Sequence, residues 1–355
     1  MGFGHDWTQK LGMTLVSAWQ RRGIIAALLL PFSFLYGTLV FLRRWTYQIG
    51  LRNAKRVDRT VIVVGNAIAG GAGKTPTTVS IVQHLRSRGL IVGVVSRGYG
   101  RNSDDVRAVS AMDDVTAVGD EPLLIARATA VPVYVGRDRH AAAKALLRQH
   151  PATQVLVCDD GLQHYALYRD IEICVFDDRW VGNGWMLPAG PLREPWPRRA
   201  LHRVGQNDAR LLVLHTGSHK RLPGYSADRT LDSHAVDRHG EKVALNALKR
   251  PLLALAGIAR PEAFFSSLLA MGVALDKTLP LPDHFDFRSL DRSALKSYQV
   301  LCTEKDAVKL WKFWPDALAV PLVQTLEPAF LAALDTLVED VRLTKLSSTH
   351  GHQTA

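Results

Sequence analysis

The chain has 355 residues, 47% of them hydrophobic and 22% charged, which is enough apolar material for two folded domains and excludes a disordered or collagen-like polypeptide. Its net charge of +11 could be read as a nucleic-acid signature, but nine Lys/Arg against two Asp in residues 1–59 give that segment +7 and leave +4 for the rest. Three scattered cysteines, Cys158, Cys174 and Cys302, form neither a disulfide framework nor a zinc pair, so a reducing compartment is expected.

The cationic excess flanks Gly23–Leu42, a run of 20 residues without a charge, 15 of them hydrophobic. As one helix it would be about 30 Å long. Arg21/Arg22 and Arg43/Arg44 bracket it, which fits anionic lipid headgroups better than nucleic acid. The run is expected to attach the chain to a membrane, either spanning or lying in the interface, since Pro31 and Gly37 leave both open. More Lys/Arg follow the run than precede it, placing the main body in the cytoplasm.

From residue 58 onward strand and helix alternate. Thr60–Val64, Leu90–Val95, Val106–Ser110, Val131–Val135, Val155–Cys158 and Ile171–Phe176 read as strands. Thr77–Arg88, Glu121–Thr129 and Arg139–Gln149 read as helices. This is the rhythm of an α/β, doubly wound, mostly parallel sheet. Asp177–Pro197, rich in Gly, Pro and Trp, is expected to be a long ordered loop. A second, smaller α/β domain is expected from Leu211–His215, Leu252–Ala256, Pro261–Met271, Gln299–Thr303, Glu304–Phe313, Ala319–Val323 and Pro328–Val341. The expected division is a membrane-anchor region at 1–45, a P-loop domain at 46–205, a second α/β domain at 206–342 and a disordered tail at 343–355.

The strongest chemical signal is VIVVGNAIAGGAGKTPTT, Val61–Thr78. A phosphate loop needs glycines so that backbone N–H groups can point inward, a Lys for the β/γ-phosphates and a Ser/Thr hydroxyl for Mg²⁺. Gly70, Gly71, Ala72 and Gly73 supply the turn, Lys74 and Thr75 the side chains, and Pro76 fits the first helical turn. The pattern GxxxxGK[ST] asks for glycine at Ile68. GGAGKT instead resembles the loop of partition- and nitrogenase-iron-protein-like ATPases, whose further signature Lys would fall at Ala69. The second signal is QVLVCDDGLQH, Gln154–His164, an apolar strand ending in Asp159 and Asp160, one of which should hold Mg²⁺. Polar loops at other strand ends offer Arg97 and Tyr99, Asp120 and Glu121, Arg137, Arg193 and Glu194, and His284.

GNAIAGGAGKTP, SRGYGR, VGDEP, CDDGLQH, GPLREP, DHFDF and CTEKDAVK occur in the order that the lipid A 4′-kinase (tetraacyldisaccharide 4′-kinase) family shows, over roughly Val61–Leu310. The resemblance implies transfer of the γ-phosphate of ATP to the 4′-hydroxyl of tetraacyldisaccharide 1-phosphate. It implies a place on the cytoplasmic face of a Gram-negative inner membrane, with ATP, Mg²⁺, glycolipid and membrane lipids as partners and no obligatory protein partner. By the same resemblance Lys74 and Thr75 bind triphosphate and metal. Asp120 is the base, supported by His284. Glu121, Asp159 and Asp160 serve the metal and acceptor positioning. Arg97, Tyr99, Arg137, Gln163, His164 and Arg193 contact the phosphorylated disaccharide. The alternative is a membrane-bound P-loop ATPase switch of the partition type, which moves a partner and modifies nothing.

Overall fold

Thr60–Gly65 (β1) is buried on both faces, as a β-branched run must be to sit in the middle of a parallel sheet. Around it a computed structural model of the chain, which describes residues 17–198, 210–217, 223–283 and 285–350, builds two sheets. The elements preceding β1 are helices α1 (Ile24–Leu28) and α2 (Leu30–Gln48). Then come α3 (Lys74–Ser87), β2 (Val92–Ser96), β3 (Arg107–Val109), α4 (Val115–Val118), α5 (Asp120–Thr129), β4 (Val133–Val135), α6 (Arg139–Gln149), β5 (Val155–Asp159) and β6 (Ile171–Phe176). The second half supplies β7 (Leu211–His215), β8 (Tyr225–Leu231), β9 (His234–Val236), β10 (Lys242–Ala244), β11 (Leu252–Ala256), α7 (Pro261–Ala270) and β12 (Lys277–Pro280). It ends with β13 (Gln299–Thr303), α8 (Glu304–Leu310), β14 (Leu318–Val320), β15 (Leu322–Leu326) and α9 (Pro328–His350).

The larger sheet runs β15-β8-β7-β6-β1-β5-β2-β4-β3, parallel throughout except at the two edges, where β15 and β3 are antiparallel. Ile81, Val82 and Leu85 of α3, Ile125 of α5 and Phe330, Leu334, Val338 and Val341 of α9 cover one face. Ala142, Ala143 and Leu146 of α6, with Leu162, Leu192 and Trp180, cover the other. The α9 residues recur every three or four positions, so one stripe is buried, at about 1.5–3 kcal/mol for each fully buried large side chain. The smaller sheet runs β10-β9-β14-β13-β11-β12.

A boundary at 205 does not separate these sheets. β7 and β8 extend the larger sheet in parallel register, and β15 and α9 return to it from the C-terminal end. The smaller sheet therefore draws its strands only from His234 to Val320. Helix α9 continues to His350, past the expected start of the tail at 343; residues 351–355 lie outside the described residues. β8, β9, β10 and β12 carry no regular apolar alternation and are absent from the sequence reading.

The expected single helix at 23–42 is two helices, broken at Leu29. Pro31 sits in the first turn of α2, where its missing N–H costs little, and it cannot bond back into α1. Among the described residues no helix is long and apolar enough to cross a membrane. One side of α2 docks on the loop between β6 and β7. Ser33 Oγ donates to the Met186 carbonyl at 2.8 Å, Tyr36 Oη donates to the Arg193 carbonyl at 3.1 Å, and Arg44 pairs with Glu194 at 3.2 Å. The other side leaves Phe32, Phe34, Leu35, Leu39 and Phe41 exposed.

Candidate active site

The site lies where strands β1 and β5 end, since Val64 of β1 is in register with Asp159 of β5. The chain leaves β1 through a short ladder, not directly into the turn. Ala69 N–H donates to the Pro191 carbonyl and Arg193 N–H to the Ala67 carbonyl, both at 2.7 Å. Ile68 is fully buried and bridges Leu192. An apolar residue therefore replaces the glycine of the general pattern at 68, because that position is extended and packed.

The turn proper begins at Gly70 and ends at Gly73, with φ of 89° and 82°, values that favour glycine. Gly73 caps α3, and Lys74 and Thr75 open it, both buried. Among the described residues, the N–H groups of Gly70, Gly71, Ala72, Gly73, Lys74 and Thr75 donate to no protein acceptor. Six adjacent free N–H groups at the start of a 14-residue helix form an anion nest.

Opposite the nest stand the acids. Asp159 is buried; its Oδ1 accepts from Thr78 Oγ1 at 2.7 Å, while its Oδ2 is buried with no partner. Burial and then the Glu121 carboxylate push Asp159 up to about 7. Burial also raises Glu121, against the pull of Lys74. Asp160, at a left-handed φ of 47°, holds Lys74 Nζ at 3.6 Å and Arg193 at 3.4 Å. Three crowded carboxylates with an orphaned oxygen are a set that a divalent cation would relieve. Among the described residues there is no closed cluster of three metal-binding side chains. Mg²⁺ on nucleotide phosphates needs only one or two carboxylates, with phosphate and water completing its shell.

Asp120 opens helix α5, buried, with Oδ1 accepting from Glu121 N–H at 3.0 Å and Oδ2 paired to Lys309 of α8 at 2.9 Å. Lys305, one turn earlier on α8, pairs with Asp283 at 3.1 Å. Helix α8, which belongs with the smaller sheet, thus reaches Asp120 through Lys309, a lysine that the sequence reading did not single out. His284 lies outside the described residues.

The acceptor candidates divide. Arg97 and Tyr99 are exposed on the loop after β2. Arg193 lies between Asp160 and Asn66, 3.4 Å from each. Gln163 donates to the Asn66 carbonyl at 3.1 Å, which makes it a support of the loop that follows β1. Burial, Arg139 and Arg169 lower His164 to about 3, which favours its neutral imidazole. Arg137 pairs with Asp104 at 3.2 Å, both well exposed, and does not join the network around Asp160. All three cysteines are buried and free.

A family model described as tetraacyldisaccharide-1-P 4′-kinase matches residues 25–339. A tetraacyldisaccharide 4′-kinase of Polaromonas naphthalenivorans is 54% identical over 346 residues, covering 96% of this chain and 98% of the relative. That of Acidovorax ebreus is 53% identical over 345 residues, covering 96% and 97%. A crystal structure of LpxK from Aquifex aeolicus in complex with ATP superposes with a TM-score of 0.74 at 26% identity, covering 89% of this chain and all of the other. The nest, the paired acids opposite it and the likeness along nearly the whole chain agree: this chain belongs to the tetraacyldisaccharide-1-P 4′-kinase family.

Proposed function

We propose that the chain transfers the γ-phosphate of ATP to the 4′-hydroxyl of tetraacyldisaccharide 1-phosphate, giving lipid IVA, at the cytoplasmic face of a Gram-negative inner membrane. The observation that carries the reading is the row of free N–H groups from Gly70 to Thr75 facing Lys74, Asp159 and Asp160 in a member of this family. The nest and Lys74 hold the triphosphate and neutralise charge as it moves to the leaving oxygen, where positioning and electrostatics do most of the catalysis. Thr75 and Asp159 or Asp160, with Glu121 beside them, would hold Mg²⁺, which would supply positive charge against the phosphates. Asp120 orients the sugar hydroxyl and accepts its proton late, with His284 as its support. Lys309 holds the Asp120 carboxylate from the second sheet, so the base is set by contacts between the two sheets. Arg97, Tyr99, His164 and Arg193 surround the acceptor.

The glycolipid keeps its acyl chains in the bilayer. Helix α2 lies in the interface with its exposed apolar side down, and a shallow groove of about 450 Å³ between α2 and Gly184–Met186 suits hydrocarbon. Thin-layer analysis of radiolabelled ATP incubated with the disaccharide acceptor tests the proposal. Label should move to the glycolipid. Release of inorganic phosphate alone would refute the kinase and favour the partition-type ATPase.

A further inference from the structure

Turning a run of N–H groups toward a phosphate turns the intervening carbonyls outward, and buried carbonyls need donors. Asn66 Nδ2 takes the Gly70 carbonyl at 3.0 Å from within the loop. Thr77 takes the Gly73 carbonyl, and those of Ala69, Gly71 and Ala72 go to side chains far away in sequence. Arg179, from the loop after β6, donates to the Ala69 carbonyl at 3.2 Å and the Gly71 carbonyl at 3.1 Å. Arg229, from β8, donates to the Ala72 carbonyl at 2.8 Å, and Thr216 Oγ1 donates to the same oxygen at 3.1 Å.

Both guanidinium groups are themselves fixed. Arg179 Nε lies 3.1 and 3.0 Å from the two Asp177 oxygens, with a further contact at 2.9 Å. Arg229 Nε donates to Gln324 Oε1 of β15 at 3.3 Å, its guanidinium also meets Thr216, and Gln324 Nε2 donates to Thr77 Oγ1 of α3 at 2.8 Å. The loop is therefore clamped from β6, β8 and β15, on the side of β1 away from Asp159. The two glycines carry the imprint of the clamp. A Cβ on Gly70 would lie 2.8 Å from the Arg179 guanidinium, and one on Gly73 would lie 1.8 Å from that of Arg229.

We infer that Arg179 and Arg229 are positioning residues for the nucleotide. They take up the outward carbonyls of the phosphate loop and so hold its N–H groups preorganised for the triphosphate. The inference rests on the reading of residues 70–75 as the nucleotide loop. Burial lowers Arg229 to about 10, which leaves it cationic at neutral pH. Each arginine thus also places a positive charge behind the nest.

The test uses the full-length chain in detergent micelles, with Arg179→Gln and Arg229→Gln, each too short to reach the carbonyls. Affinity for MgADP is read by calorimetry, and KM is read for ATP and for the glycolipid separately. Loss of a charged donor to the loop should weaken MgADP binding and raise the KM for ATP roughly tenfold or more. The KM for glycolipid should stay within about twofold, a split that general destabilisation would not produce. Melting temperature without nucleotide confirms the fold; if Arg229→Gln does not fold, Arg179→Gln decides. MgADP affinity within twofold of the parent in a folded variant, or equal rises in both KM values, would overturn the inference. Lys74→Ala separates the two layers: if it binds and turns over normally, the nucleotide loop itself is misassigned. If it fails while both arginine variants bind normally, only the clamp is wrong.

Discussion

The exposed side of helix α2 makes a quantitative prediction about membrane binding. Leu28, the last residue of α1, is 72% exposed and Phe34 of α2 is 79% exposed, so neither supports the fold. Full burial of such a side chain stabilises by about 1.5–3 kcal/mol, so at three-quarters exposure each has about 1–2 kcal/mol left to gain from a bilayer. Replacing both with serine should remove about 2–4 kcal/mol, a fall of roughly 30- to 700-fold in partition onto vesicles. The assay is co-sedimentation with vesicles containing anionic lipid, at low and at high salt, with the melting temperature as a control for folding. Salt alone should leave most of the parent protein bound, because apolar insertion is not screened. Unchanged partition of Leu28→Ser/Phe34→Ser, or complete release of the parent by salt, would refute the assignment of this face to the interface.

Lys74→Ala should abolish phosphate transfer to the glycolipid while melting as the parent does, because its partner is Asp160 in the site and not the core; radiolabel transfer checks it. Asp120→Asn should lower turnover strongly with little change in the KM for ATP, and adding His284→Ala should make it scarcely worse, since a pair acting as one unit is non-additive; steady-state kinetics of the single and double variants checks this. Glu194→Ala should cost about 1–3 kcal/mol of stability, because Arg44 and the buried Arg198 lose their shared carboxylate while Arg198 keeps Glu172 at 2.9 Å; chemical denaturation measures it.

Much of this site was legible in sequence because its parts are local. A buried strand, a glycine turn and a helix start are contiguous from Val61 to Ser87, and Asp159 closes a strand whose other residues are apolar. Strands Ile171–Phe176 and Leu211–His215 fall where their apolar runs place them. What the sequence hides is partnership across the fold. Arg179 and Arg229 look like ordinary surface arginines, since nothing near them in sequence shows that they meet loop carbonyls. Lys309 lies within a family motif, yet its pairing to Asp120, 189 positions earlier, depends on how two sheets meet. The boundary at 205 misleads for the same reason. The Pro- and Trp-rich loop interrupts the alternation, but β7 resumes the same sheet beside β6. Its packing is visible in Trp180, stacked against His215 with ring centres 5.1 Å apart.

The arginines around the apolar run change meaning once the structure is considered. Read in sequence, Arg21, Arg22, Arg43 and Arg44 bracket a membrane segment and would all face headgroups. In the fold three of them turn to protein. Arg44 goes to Glu194, Arg43 donates to the Gln163 carbonyl at 3.2 Å and lies over Tyr165, and Arg22 donates to the Asn183 carbonyl at 3.1 Å and lies over Trp185. Fewer charges therefore remain for electrostatic attraction, and the proposed attachment would fall to the apolar side chains, which is why salt should release so little. The same three contacts reach two loops that build the site. Gln163 supports Asn66 at the phosphate loop, and Glu194 follows Arg193, which holds Asp160. The helix proposed to lie in the interface is thus bolted to the loops that carry Gln163 and Arg193. Under the proposed interfacial placement of α2, the height of the site above the hydrocarbon is a property of the fold.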